Sequence, residues 1–117
     1  MTSFKKSFSF DRRLEESKRI VLKYPNRVPI IVENSTSSTL PVLEKKKYLP
    51  PSDITIGQFI YILRKRLILR PEQAIFLFIN NSLAPTNMLL SEIYSKEKDF
   101  DGFLYAFLYE ENAFGSN

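Results

Sequence analysis

The sequence predicts an α+β domain with four strands. Three observations carry that reading. Two long segments repeat apolar residues at helical spacing. Four shorter segments are rich in β-branched and aromatic residues, three of them apolar on both faces. The two kinds follow one another as helix, strand, strand, helix, strand, short helix, strand, a mixed order rather than a strict alternation.

Segment 10–24 is an amphipathic helix in which Phe10, Leu14, Ser17, Val21 and Tyr24 share one face. That face is expected to pack, with Arg12, Arg13, Glu15, Glu16, Lys18 and Arg19 in water. Pro25 ends the helix. Residues 3–8 are read as a shorter helix. Residues 27–33 form a strand with Val28, Ile30 and Val32 on one face and Pro29 and Ile31 on the other. Residues 34–41, rich in Ser and Thr, are a loop. Tyr48 and Leu49 sit in a short strand stopped by Pro50 and Pro51, which cannot donate to a ladder.

Segment 55–68 is the second strong helix. Ile56, Phe59, Ile60, Leu63 and Leu67 follow steps of three and four, and Asp53 or Thr55 supplies the cap. Residues 75–79 are a buried strand, 80–87 a turn-rich loop, 88–95 a short helix and 103–109 a strand. Asp99 and Asp101 fall in a polar turn and are expected to be solvated.

Composition limits the function. The 117 residues are 44% hydrophobic and 14% aromatic, enough for one packed domain. Cys and His are absent, which removes thiol nucleophiles, the usual zinc sites and the commonest general base. No Gly-rich phosphate loop is present, so no catalytic residue, metal or cofactor is expected. No apolar run approaches the roughly 20 residues of a membrane span, and no secretory signal is read at the N-terminus. The net charge of +4 hides a split: residues 1–70 carry +9 and residues 71–117 carry −5. A basic half suits an acidic peptide, anionic lipid or nucleic acid.

The core succession of strand, strand, helix, strand, helix, strand resembles the ubiquitin β-grasp. That resemblance implies a four-stranded mixed sheet with a helix on one face. The N-terminal helical extension (residues 1–24) would cover the other, and a core over residues 25–112 would precede a tail over 113–117. Specific blocks sharpen the likeness: Tyr24-Pro25-Asn26-Arg27-Val28-Pro29, Lys45-Lys46-Lys47-Tyr48-Leu49, Pro51-Ser52-Asp53-Ile54-Thr55-Ile56-Gly57-Gln58-Phe59, Asp101-Gly102-Phe103-Leu104-Tyr105 and Phe114-Gly115. From about Phe4 to Gly115 the chain resembles the ubiquitin-like modifiers of the autophagy-related protein 8 family. It departs at Pro50, where the family usually has a branched aliphatic residue.

The resemblance implies a function. A dedicated cysteine protease would cut after Gly115. Activating and conjugating enzymes would then join that glycine to phosphatidylethanolamine. The protein would thus be cytoplasmic, move to the autophagosome membrane on lipidation and be delivered to the vacuole or lysosome. It would dock cargo receptors and adaptors carrying Trp/Phe/Tyr-x-x-Leu/Ile/Val motifs by adding a strand along Lys47 and Leu49. Glu16, Ile20, Pro29, Ile31, Lys47, Leu49 and Phe103 would line an aromatic pocket. Tyr48, Pro50, Pro51, Ile54, Phe59, Ile62 and Leu63 would line an aliphatic one. Arg27, Lys45, Lys47 and Arg66 would attract acidic residues ahead of the motif. A second docking surface would match Phe76, Leu77, Phe78 and Ile79, although a buried strand has the same pattern. The competing reading is an unconjugated peptide- or nucleic-acid-binding adaptor, with Arg64-Lys65-Arg66 as the phosphate contact. The chain has no RNA-binding aromatic signature or helix-turn-helix pattern, so no nucleic acid is expected.

Overall fold

The computed structural model describes residues 3–35 and 46–112. The elements run α1 (Phe4–Ser7), α2 (Phe10–Lys23), β1 (Ile30–Asn34), β2 (Lys47–Tyr48), α3 (Ile56–Leu67), β3 (Gln73–Ile79), β4 (Ser82–Leu83), α4 (Leu90–Glu97) and β5 (Leu104–Asn112). One sheet has the order β2-β1-β5-β3-β4. The central pair, β1 and β5, is parallel, and the other pairs are antiparallel. This is the β-grasp arrangement, with five strands where four are expected from sequence. The added strand falls in the loop expected over 80–87. Asn80 and Asn81 adopt φ of 51° and 65°, which Asn tolerates, and the chain turns back to pair Phe78 with Leu83.

Local chemistry sets the helix ends. Ser9 caps α2 by accepting from the Arg12 amide. Thr55, rather than Asp53, caps α3 and forms a capping box with Gln58. Ile68, at φ 52°, ends α3 in the left-handed region.

Strand alternation then builds two layers. Ile30 and Val32, Leu104, Ala106 and Leu108, and Ile75, Leu77 and Ile79 meet Ile56, Phe59 and Leu63 of α3 in the main core. Ile31 and Phe103 point the other way and meet Phe4 and Ile20 of the N-terminal helices, with Leu49 and Tyr105 packed against them. The extension thus covers the second face at the β1 end. Towards β3 the cover stops: Phe107 and Tyr109 are exposed, and the Tyr109 ring packs on Phe78 at 4.6 Å.

Two expectations need correction. The side of α2 that meets the sheet is Arg13, Ser17 and Ile20. Of the predicted face only Ser17 is buried, while Phe10, Val21 and Tyr24 are exposed. Asp101, expected in water, is fully buried, and it is the reason α2 is turned. Its Oδ2 accepts from Arg13 Nη1 at 2.6 Å and from the Tyr105 hydroxyl at 2.5 Å. Its Oδ1 accepts from the Phe103 amide at 2.8 Å, and its carbonyl accepts from Ser17 Oγ at 2.5 Å. Gly102, at φ 90°, packs so closely on Ser17 that a Cβ there would collide with the hydroxyl. Asp99 adds an outer tie by accepting from Lys5 Nζ at 2.7 Å.

This clamp has a pH signature. Burial, then the bond to Asp101, raises the Tyr105 pKa well above the phenol's ordinary value, against the opposing pull of Arg13. Burial raises Tyr48 and Tyr94 as well. A raised native pKa means the stabilisation is complete below the unfolded value, about 10. It is lost as pH rises above that, because the unfolded phenol ionises while the native one keeps its proton. Urea midpoints measured from neutral to strongly alkaline pH should fall more gently for Tyr105→Phe than for wild type. Parallel declines would mean that Tyr105 does not contribute.

Candidate functional site

β2 is an edge strand, and its register decides which backbone groups remain outside. Ile30 pairs with Tyr48 and Ile31 with Lys47. The Val32 amide donates to the Lys46 carbonyl at 2.8 Å, and the Val28 amide to the Pro50 carbonyl at 3.0 Å. Lys46, Tyr48 and Pro50 therefore turn their backbone groups to β1. Lys47 and Leu49 turn theirs to the open side. Pro50 lacks an N–H on the inner side only, so the outer ladder is left intact. The Leu49 carbonyl accepts from Arg27 Nη1 at 2.6 Å.

Beside this edge is a cavity of about 670 Å³, lined by Arg27, Lys46, Lys47, Tyr48, Leu49, Pro50, Pro51, Phe59, Ile62 and Arg66. Tyr48 meets Phe59 edge to face at 5.9 Å, and the Arg66 guanidinium lies 5.8 Å from the centre of the Tyr48 ring. Of the residues expected in an aliphatic pocket, Tyr48, Pro50, Pro51, Phe59 and Ile62 line this cavity. Leu63 is fully buried in the main core, and Ile54 packs against that core.

The residues expected in an aromatic pocket gather a short way along the same edge. Ile20, Ile31 and Phe103 are buried in one cluster with Leu49 against them, and Pro29 is buried nearby. Lys47 Nζ and Glu16 form an ion pair that joins β2 to α2. Burial pulls the Lys47 amine below its ordinary pKa. Lys46, which the sequence reading left out of the site, lines the cavity and pairs with Glu33 at 3.5 Å. Its place in a run of three lysines was the one available signal.

Arg27, Lys47 and Arg66 face the cavity, while Lys45 and Gly115 lie outside the described residues. Phe76 and Phe78 are half-buried on the second sheet face; Leu77 and Ile79 belong to the main core. The basic cluster on α3 divides. Arg64 is engaged by the carbonyls of Gln73 and Arg70, at 2.5 and 3.1 Å, and only its neighbours extend to solvent. Among the described residues no acidic cluster is arranged to hold a metal, and no helix is long and apolar enough to cross a membrane. What the arrangement offers is a free strand edge beside an apolar cavity with a cationic rim.

Comparison with known proteins gives a consistent result. The family described as Autophagy protein Atg8 ubiquitin like matches residues 12–115. Autophagy-related protein 8 of Vanderwaltozyma polyspora is 50% identical over 115 residues, covering 98% of each chain. Autophagy-related protein 8A of Oryza sativa subsp. indica is 52% identical over 115 residues, covering 98% of this chain and 97% of its own. The crystal structure of Trypanosoma brucei ATG8 superposes with a TM-score of 0.91 at 39% identity, over 98% of this chain and 99% of that one. The fold, the run of matched residues and the near-complete mutual coverage agree, and the chain belongs to the Atg8 family of ubiquitin-like autophagy proteins.

Proposed function

We propose that this protein is a modifier joined through Gly115 to phosphatidylethanolamine, working on autophagosomal membranes as a dock for aromatic-x-x-aliphatic motifs. The observation that carries the docking half is the outward-facing backbone of Lys47 and Leu49 beside the cavity. An extended peptide would extend the sheet there, exchanging main-chain bonds with both residues. Its aliphatic residue would enter the cavity floored by Phe59. Its aromatic residue would press into the Ile20, Ile31 and Phe103 cluster. Entry would displace two contacts that hold the free edge. The peptide amide would replace Arg27 at the Leu49 carbonyl, and the aromatic ring would lift Lys47 from Glu16. Both cations would then be available to acids preceding the aromatic.

The partners of this reading are a processing cysteine protease, the activating and conjugating enzymes, and cargo receptors or adaptors bearing such motifs. The attached lipid brings two acyl chains, which anchor far more firmly than one. The test is a titration of paired peptides, with and without acidic residues before the aromatic, against wild type and Lys45→Glu, Lys47→Glu. Each exposed charge contact contributes only about 0.2–1 kcal/mol, so several together should weaken the acidic peptide roughly tenfold at low salt. The neutral peptide should change much less. Equal losses for both would rule out charge selection, and binding of neither to wild type would rule out the dock.

A further inference from the structure

The apolar side of α2 that misses the sheet is not dispersed over the surface. Leu14, Val21 and Leu22 line a groove of about 700 Å³, closed on its far side by Tyr94 of α4 and by Phe100 in the turn before β5. Leu22 is 83% exposed and Phe100 is 93% exposed. A single exposed apolar residue needs no explanation, but several converging on one concavity do. Lys18 and Lys98 form the charged border, and among the described residues neither makes an ion pair. The groove's acid, Asp99, is already paired with Lys5. None of its lining residues belongs to the cavity beside β2.

We propose that this groove is a separate docking site, and that its occupant is an amphipathic helix of a partner protein with acidic residues bordering its apolar face. Shape and charge choose this occupant. The stripe from Leu14 to Leu22 runs about 12 Å along α2, matching about two turns of a helix laid beside it. A helix seated between α2 and α4 fills a concavity that a bilayer surface would only bridge. A second copy, meeting this face symmetrically, would bring four lysines, Lys18 and Lys98 of each copy, into one interface with no acid to spare. An acidic border instead meets Lys18 and Lys98, which have no ion partner among the described residues, Lys98 lying over the Tyr94 ring at 5.2 Å. The position also leaves the site reachable when the tail is anchored. Phe100 and Gly102 precede β5, and its nine residues place the groove about 30 Å from the strand's other end.

The experiment is a display selection of helical peptides of about 15 residues on the full-length chain, counter-selected on Leu22→Glu, Phe100→Ser. Both side chains are exposed, so the variant keeps the fold, and a circular dichroism melt verifies it. Recovered peptides should carry apolar residues at i, i+3 or i+4 and i+7 with Asp or Glu along the borders. They should bind Lys18→Glu, Lys98→Glu about tenfold more weakly and bind Ile62→Ser, an exposed change in the cavity beside β2, unchanged. Enrichment of no peptide, or of peptides without acidic borders, would overturn the proposal. So would either of two other findings abolished by the groove variant: capture on anionic phospholipid vesicles, marking a lipid contact, or concentration-dependent dimerisation in sedimentation, marking a self-contact.

Discussion

Gly115→Ala is expected to abolish membrane recruitment and leave the chain uncut in the cytosol. The chain has three glycines. Two have reasons within the domain: Gly57 packs against the Thr86 carbonyl, where a Cβ would sit 3.2 Å away, and Gly102 holds φ of 90° against Ser17. Gly115 lies outside the described residues, and its expected role rests on the proposed conjugation. A residue without a Cβ threads a narrow protease channel and reaches backbone conformations closed to other residues. The added methyl group should therefore act at processing, with the melting temperature unchanged. A chain ending at Gly115 should bypass the protease and reach membranes, and its mass should rise by that of the lipid less one water, the amide bond being formed with loss of water. Recruitment of the Ala variant at wild-type level would eliminate Gly115 as the point of attachment.

Structure is legible in the sequence where the local signal is strong and illegible where a distant residue decides. Thr55 and Gln58 specify the start of α3 by themselves, and the apolar residues on both faces of β1 indicate that both faces are covered there; beside β3 the same pattern misleads, since Phe107 and Tyr109 stay exposed. β4 was missed because two residues paired through an Asn-Asn turn give almost no periodicity. Apolar spacing points to the wrong face of α2, whose buried side is Arg13, Ser17 and Ile20. In the fold, Asp101, 88 residues away from Arg13, makes that choice. An arginine within a charged run gives no hint of a buried partner so distant. The edge at β2 was legible for the opposite reason. Backbone alternation fixes which side of Lys47, Leu49 and Pro50 looks outward once the pairing is known. Lys46 escaped notice because its role depends on the position of Glu33 across the strand pair.

Asp101→Ala should be the most destabilising single substitution in the extension's contact with the domain. It strands three donors at once. Arg13 is nine-tenths buried and would lose its carboxylate, while the Tyr105 hydroxyl and the Phe103 amide would lose their acceptors. Breaking a buried ion pair from one side costs about 3–5 kcal/mol, because the remaining charge is left uncompensated. For a domain of this length that corresponds to a fall of roughly 10–20 °C in the melting temperature. Arg13→Met combined with Asp101→Ala should recover part of the loss by removing the stranded charge, a coupling that a double-mutant cycle reads directly. The damage should also reach the peptide site. Ile20 of α2 and Phe103, the residue whose amide Asp101 holds, belong to the cluster proposed to take the motif's aromatic residue. A motif peptide should therefore bind Asp101→Ala more weakly even at temperatures where the main core remains folded, with the double variant intermediate. If Asp101→Ala melted within a degree or so of wild type, the buried pair would not be what holds α2 to the sheet, and the small apolar cluster around Phe103 would have to do so alone.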